Sequence, residues 1–231
     1  FVLRSGLIIM SDALAALFCA TTAYFTLVSH RNNKIIFVLL FAILAFLCRY
    51  ATALVVAPFC IYSMYVCLVS RNFNSMALGI ILSSALLYLN FAYWANSEGS
   101  THHAWLHSWS LTHFTQKEFT TVDGNSSYTL PNILYAFKNI YYPGFLLLFL
   151  PLLPFIKSID LSRPHQKLLL LSLLIYSLFL AGIPFQNDRF LLLTFPFVIL
   201  LFYPAFKRMM EWKPLMKYVI MATALISVPL T

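Results

Sequence analysis

The sequence predicts an all-α, polytopic membrane protein: a transmembrane bundle of about eight hydrophobic helices with one long outer loop. Three observations predict it. Hydrophobic residues make up 61% of the 231-residue chain, charged residues only 10%, and the mean hydropathy is +0.82; a soluble domain this small needs more charge to cover its surface. Most of the apolar runs between charges are about 17–23 residues long, the length of helix that crosses a ~30 Å hydrocarbon core, although 35–48 is short for a span. The basic residues that produce the net charge of +8 are scattered through short segments between those runs, which fits membrane orientation better than nucleic-acid binding.

The elements follow in order. The first run, 6–28, is interrupted only by Asp12 and ends in the polar cluster 30–34. The second, 35–48, stops at Arg49 and Tyr50; the third, 51–69, contains Pro58, which removes a helical hydrogen bond and predicts a kink. These two runs form either a hairpin with Arg49 and Tyr50 at its tip, or one long span plus a re-entrant piece. Charge bias favours the hairpin, which leaves the 30–34 cluster and Arg71 on one side. The fourth run, 75–94, leads into the long polar loop. A proline-rich fifth run covers 141–156, a sixth 168–185, a seventh 190–206, and the eighth starts near Tyr218. The chain therefore divides into helices one to four (1–95), an outer loop (96–140) and helices five to eight (141–231). It opens directly into a span and stops inside an apolar run, so it is read as a fragment of a longer protein.

Alternate crossing puts ten basic residues on one side: Arg31, Lys34, Arg71, Lys157, Arg163, Lys167, Lys207, Arg208, Lys213 and Lys217. Five fall on the other: Arg4, Arg49, Lys117, Lys138 and Arg189. The first side is then cytoplasmic and the long loop faces outward. Orientation gives no reason for Arg49 and Arg189, so they are the candidates for chemistry. A guanidinium makes bidentate hydrogen bonds to phosphate and stays charged at any relevant pH; the alternative is a snorkelling arginine, or for Arg189 a local pair with Asp188. Asp12, inside a span, must face protein, water or a cation, and pairing with Arg4 or Arg49 is the plain structural reading.

The four cysteines sit in apolar runs and suggest neither a disulfide framework nor structural zinc. In the loop, His103 and His107 stand at i, i+4 beside His102, His113, Trp105 and Trp109. An interfacial aromatic-rich segment explains them better than a metal site, so a divalent metal is not indicated and no cofactor is assigned. Glu98, Glu118 and Asp123 are loop acids among which the sequence does not choose. Asn125-Ser126-Ser127 fits a glycosylation sequon.

Three segments carry a resemblance. Ser11-Asp12-Ala13-Leu14-Ala15-Ala16-Leu17-Phe18, Phe46-Leu47-Cys48-Arg49-Tyr50-Ala51-Thr52 followed by Pro58, and Gln186-Asn187-Asp188-Arg189-Phe190-Leu191-Leu192-Leu193 with Pro196 resemble, in order and spacing, segments of the GT-C superfamily of polyprenyl-phosphate-sugar-dependent glycosyltransferases. The likeness is nearest the protein O-mannosyltransferase and aminoarabinose transferase branch (glycosyltransferase family 39-like). Phe190 and Thr194 depart from it, standing where tyrosine and proline are common. The resemblance implies inverting transfer of a sugar from a lipid phosphate to a lipid, glycan or protein acceptor on the outer face. It implies donor-phosphate contacts at Arg49 and Arg189, with Asp12, Asp188 and Tyr50 in support. The principal catalytic acid would lie upstream of residue 1. A multi-pass protein of a bacterial inner membrane, rather than of the endoplasmic reticulum, is the expected setting. The competing readings are a transporter or flippase for a lipid-linked or anionic solute, for which the sequence shows no internal repeat, and a polysaccharide polymerase- or ligase-like membrane subunit.

Overall fold

The computed structural model describes residues 2–29, 33–95, 109–121, 124–138, 150–191, 193–212 and 218. It is mostly helical, and the described residues divide into two compact units. The first comprises 1–109 with the short segment 188–193; the second comprises 110–187 and 194–231.

Unit one is built on four helices: α1 (Val2–Leu27), α2 (Lys34–Cys48), α3 (Thr52–Val69) and α4 (Phe73–Ala95). Phe25 stacks on Phe37 and Phe41, Phe18 meets Phe41, and the Lys34 ammonium donates to the Thr26 carbonyl. Later residues of α1 thus meet earlier residues of α2, and the two helices run antiparallel. The chain reverses again within Arg49, Tyr50 and Ala51. Ser63 on α3 donates to the Thr26 hydroxyl on α1, which in turn donates to Thr22 O. Polar side chains inside an apolar bundle are satisfied this way because water is absent. Helix α3 ends in a Schellman motif: Asn72 N–H bonds to Cys67 O and Arg71 N–H to Leu68 O, with Arg71 at φ 55°.

Helix α4 meets the others through one stripe of small residues. Ser75, Gly79 and Ser83, four apart, are its buried positions, and the Ser75 hydroxyl donates to Asn33 Oδ1. Small side chains let two backbones approach closely. A Cβ at Gly79 would lie 3.1 Å from Leu39 Cδ1 and 3.2 Å from the Ile36 Cα. Leu39 has room to rotate, but the α2 backbone does not. Gly79→Leu is therefore expected to cost about 1–3 kcal/mol, the usual range for overpacking, read as a lowered unfolding temperature of the detergent-solubilised protein. An unchanged temperature would show that α2 and α4 are not held at this point.

Much of the rest of α4 is exposed and apolar, including Ile81, Tyr88, Leu89, Phe91 and Tyr93. Such a surface is costly in water and neutral in lipid. Among the described residues three helical stretches, Thr52–Val69, Phe73–Tyr93 and Pro164–Gly182, are long and apolar enough to cross a membrane. Ser11–Leu27 and Lys34–Cys48 are shorter apolar stretches.

Unit two departs from the expected run of spans. The loop residues 110–138 carry a 3-10 turn (Leu111–Phe114), an antiparallel hairpin of β1 (Glu118–Thr121) and β2 (Gly124–Ser127), and α5 (Asn132–Ala136). The hairpin makes the fold more than all-α. Of the expected fifth span, 141–149 lie outside the described residues, and Leu150–Ser158 is a 3-10 helix. Pro154 lacks the N–H an α-helical bond needs and crowds the preceding turn. Helix α6 (Pro164–Gly182) starts four residues before the apolar run, because Pro164 suits a first helical turn, and ends before Pro184, whose ring holds Ile183 extended.

The expected seventh span, 190–206, is divided. A single turn, α7 (Asp188–Leu191), precedes α8 (Phe195–Trp212), whose first turn contains Pro196. Thr194 O accepts from both Phe197 N–H and Val198 N–H, marking a fresh helix start. Helix α8 continues past Phe206 through Lys207, Arg208 and Glu211. Leu152, Val198, Ala205 and Met209 form a core lined by Phe155, Phe202 and Phe206. The expected eighth helix lies outside the described residues except Tyr218. In the turn before α6, the Ser162 hydroxyl and N–H and then the Arg163 guanidinium hold the Asp160 carboxyl below its ordinary range.

Candidate functional site

The site grows from the reversal between α2 and α3. Arg49 caps α2, its N–H bonded to Ala45 O, and its own carbonyl accepts from the Thr52 hydroxyl at 2.8 Å and the Thr52 N–H at 3.0 Å. One residue thus ends one helix and begins the next, which fixes the Cα from which its side chain leaves. The guanidinium bonds to the Asp12 carboxylate on α1. It also lies 4.4 Å from the centre of the Phe190 ring on α7. Three elements distant in sequence therefore meet at one cation.

Burial decides what this arrangement is worth. The Asp12 side chain is 4% exposed and that of Arg49 16%. A pair this dry is screened little by solvent and cannot lose one member cheaply. The aromatic face adds attraction through its quadrupole. A guanidinium has five N–H donors in a rigid fork. Among the described residues only Asp12 and the Phe190 ring engage it. The group is thus oriented on one side and retains donors for a planar or tetrahedral oxyanion on another.

Of the two partners open to Asp12, the structure pairs it with Arg49; the Arg4 side chain lies outside the described residues. Tyr50 stands at the same reversal and is 38% exposed. Burial pushes its phenol up, and the Arg49 charge offsets part of that. The backbones of Asp188 and Arg189 belong to α7, directly before Phe190, while their side chains lie outside the described residues. Phe190 is the contact that sequence reading missed: its ring could be recognised only as an aromatic after an arginine.

Among the loop candidates, His102, His103, His107, Glu98 and Asp123 lie outside the described residues. The His113 Nδ1 sits 2.8 Å from Gly182 O and its ring packs edge-on against Phe119, so its role is to hold β1 and the end of α6. Glu118 opens β1, and Asn125 pairs with Thr120 in the hairpin. Among the described residues no group of three His, Cys, Asp or Glu side chains could hold a metal ion.

A second polar cluster lies wholly in unit two. Asn132 Nδ2 donates to Ile183 O at 2.6 Å, and Gln186 Nε2 donates to Asn132 Oδ1 and to Leu130 O, both at 2.8 Å. The Tyr135 hydroxyl donates to Asn187 O and accepts from Asn187 N–H. These bonds satisfy the Ile183 carbonyl and the Asn187 N–H and carbonyl, at the two ends of a stretch that Pro184 keeps from continuing α6. No protein-family model, curated protein or solved structure matches this chain.

Proposed function

We propose that this chain is part of a polytopic glycosyltransferase that moves a sugar from a polyprenyl-phosphate donor to an acceptor on the outer face of a membrane, with inversion. The single observation that supports it is Arg49, a cation oriented by a buried carboxylate and an aromatic ring, with Arg189 next to that ring in sequence. In such a transfer an acceptor oxygen bonds to the anomeric carbon as the bond from that carbon to the phosphate oxygen breaks. The lipid phosphate leaves with the electron pair, and the acceptor proton passes to a carboxylate that the resemblance puts upstream of residue 1. Charge accumulates on the leaving phosphate, and fixed guanidinium donors at a partly dry site stabilise that charge best. Arg49 and Arg189 are the phosphate contacts in this reading, Asp12 orients Arg49, and Asp188 and Tyr50 support them. The setting proposed with it is a multi-pass bundle of about eight helices in a bacterial inner membrane, the long loop outside.

The test uses the full-length protein in proteoliposomes and a radiolabelled polyprenyl-phosphate sugar. Arg189→Ala is expected to lower turnover by roughly 10²–10³-fold, the usual loss for one donor to developing oxyanion charge, with membrane insertion unchanged. Arg49→Ala should lose turnover as well. Arg49→Lys keeps the charge but not the fork, so it should insert normally and transfer poorly. Wild-type turnover by Arg189→Ala and Arg49→Lys would overturn the proposal.

A further inference from the structure

Helix α6 serves as a ruler for unit two. It is long and apolar enough to cross a membrane, and Leu171, Leu174 and Leu178 form an exposed stripe along it at helical spacing. No charged residue lies between Lys167 and Gly182. Over that stretch the helix rises roughly 22 Å, less than the ~30 Å hydrocarbon core. With Lys167 held at one face by its charge, Gly182 lies no farther out than the opposite edge of the core.

Two parts of the long loop are fastened at that end. The Ser110 N–H donates to the Gly182 carbonyl at 3.0 Å, and His113 Nδ1 lies 2.8 Å from the same oxygen. The 3-10 turn therefore stands level with Gly182. Helix α5 goes deeper. Asn132 Nδ2 donates to Ile183 O, while the Ser177 hydroxyl donates to Ala136 O at 3.2 Å. Ser177 precedes Gly182 by roughly 7–8 Å along the helix, so α5 runs back beside the last turns of α6.

Backbone hydrogen bonding separates what hydrocarbon accepts from what it does not. In α5 the Asn132 N–H donates to Gln116 O, the Leu134 and Tyr135 N–H groups to Pro131 O, and the Phe137 N–H to Leu134 O. The hairpin is a two-stranded sheet, so each strand keeps an open edge, and open edges are not placed in lipid. Its exposed side chains, Glu118, Thr120, Asn125 and Ser127, are polar. By contrast, Leu111 on the turn is 69% exposed and Leu134 on α5 is 49% exposed. A single exposed leucine on a water-facing loop is ordinary. These two differ because hydrogen bonds set them level with a lipid-length helix whose own exposed leucines approach the same end.

We propose that the outer loop docks on the phospholipid of the outer leaflet, the turn at Leu111 resting at its edge and α5 entering it, with Leu134 among acyl chains and the hairpin above in water. The proposal rests on α6 crossing a membrane and not on transferase activity.

The test uses the full-length protein, freed of native cysteines, in phosphatidylcholine nanodiscs. An environment-sensitive fluorophore is attached in turn at Leu111→Cys, Leu134→Cys and Asn125→Cys. The Asn125 label is expected to emit as in water and to be quenched by aqueous iodide. The Leu111 label should be blue-shifted and quenched best by a nitroxide on the lipid headgroup. The Leu134 label should escape iodide and be quenched best by a nitroxide on the acyl chain. Carbene labelling of the unsubstituted protein from a diazirine-bearing acyl chain checks the result without any variant: peptides covering 132–137 should be labelled and those covering 118–127 should not. Iodide quenching at Leu134 equal to that at Asn125 would overturn the proposal. So would a Leu134 label shielded from iodide and lipid nitroxide alike, since protein rather than lipid would then cover it, or carbene labelling of the hairpin in place of α5.

Discussion

Arg49→Met is expected to destabilise the protein by about 3–5 kcal/mol, the range for removing one member of a buried ion pair. The methionine fills much of the volume, so the loss reports charge more than packing. It takes from the Asp12 carboxylate, 4% exposed, the guanidinium bonded to it. Asp12→Leu should cost less. The orphaned Arg49 is the more exposed member, keeps the Phe190 ring, and has a long stem that can carry its charge toward the interface. The double variant should recover most of the loss, because an apolar pair of similar volume replaces a costly desolvated one. Chemical unfolding of all four proteins in one detergent measures the cycle. Additive losses in the double variant would show that the two groups are not coupled.

The second large effect belongs to unit two. Asn132→Leu removes the donor to Ile183 O and the acceptor for Gln186 Nε2 while leaving a side chain of similar size. Asn132 is fully buried, so the abandoned carbonyl gains no water. The expected loss is about 2–4 kcal/mol, taking each unsatisfied buried group at its usual cost. Asn132→Asp restores the acceptor but not the donor, and brings an unpaired charge, so it should be no more stable. Unfolding followed by tryptophan fluorescence reads both variants. A loss under about 0.5 kcal/mol, the scale of ordinary surface changes, would show that water reaches Ile183 O.

The helices were the legible part. Long apolar runs must satisfy their own backbone hydrogen bonds where water is missing, and a helix does so locally. That is why α1–α4 and α6 lie close to where composition puts them. Turns and breaks were less legible, because they depend on how prolines are used. Pro58 sits inside α3, Pro164 opens α6, Pro196 lies in the first turn of α8, and Pro154 goes with a 3-10 helix. The same residue does four different things, and local sequence does not separate them. The hairpin was missed for a related reason: Glu118 to Ser127 is polar, with no apolar alternation to mark strands.

By itself, the sequence determined that the chain is mostly helical and roughly where α1–α4 and α6 lie, and it singled out charges inside or beside apolar runs, since both follow from the cost of polar groups in hydrocarbon. Asp12 and Arg49 were visible as such exceptions. Tertiary structure alone decided that they pair, that Phe190 lies against the guanidinium, and that the run after Asn187 breaks before Phe195. Each of these depends on residues from separate helices arriving at one place. Helix formation uses contacts four residues apart, whereas Asp12 and Arg49 are 37 apart and meet only once α1 and α2 have packed.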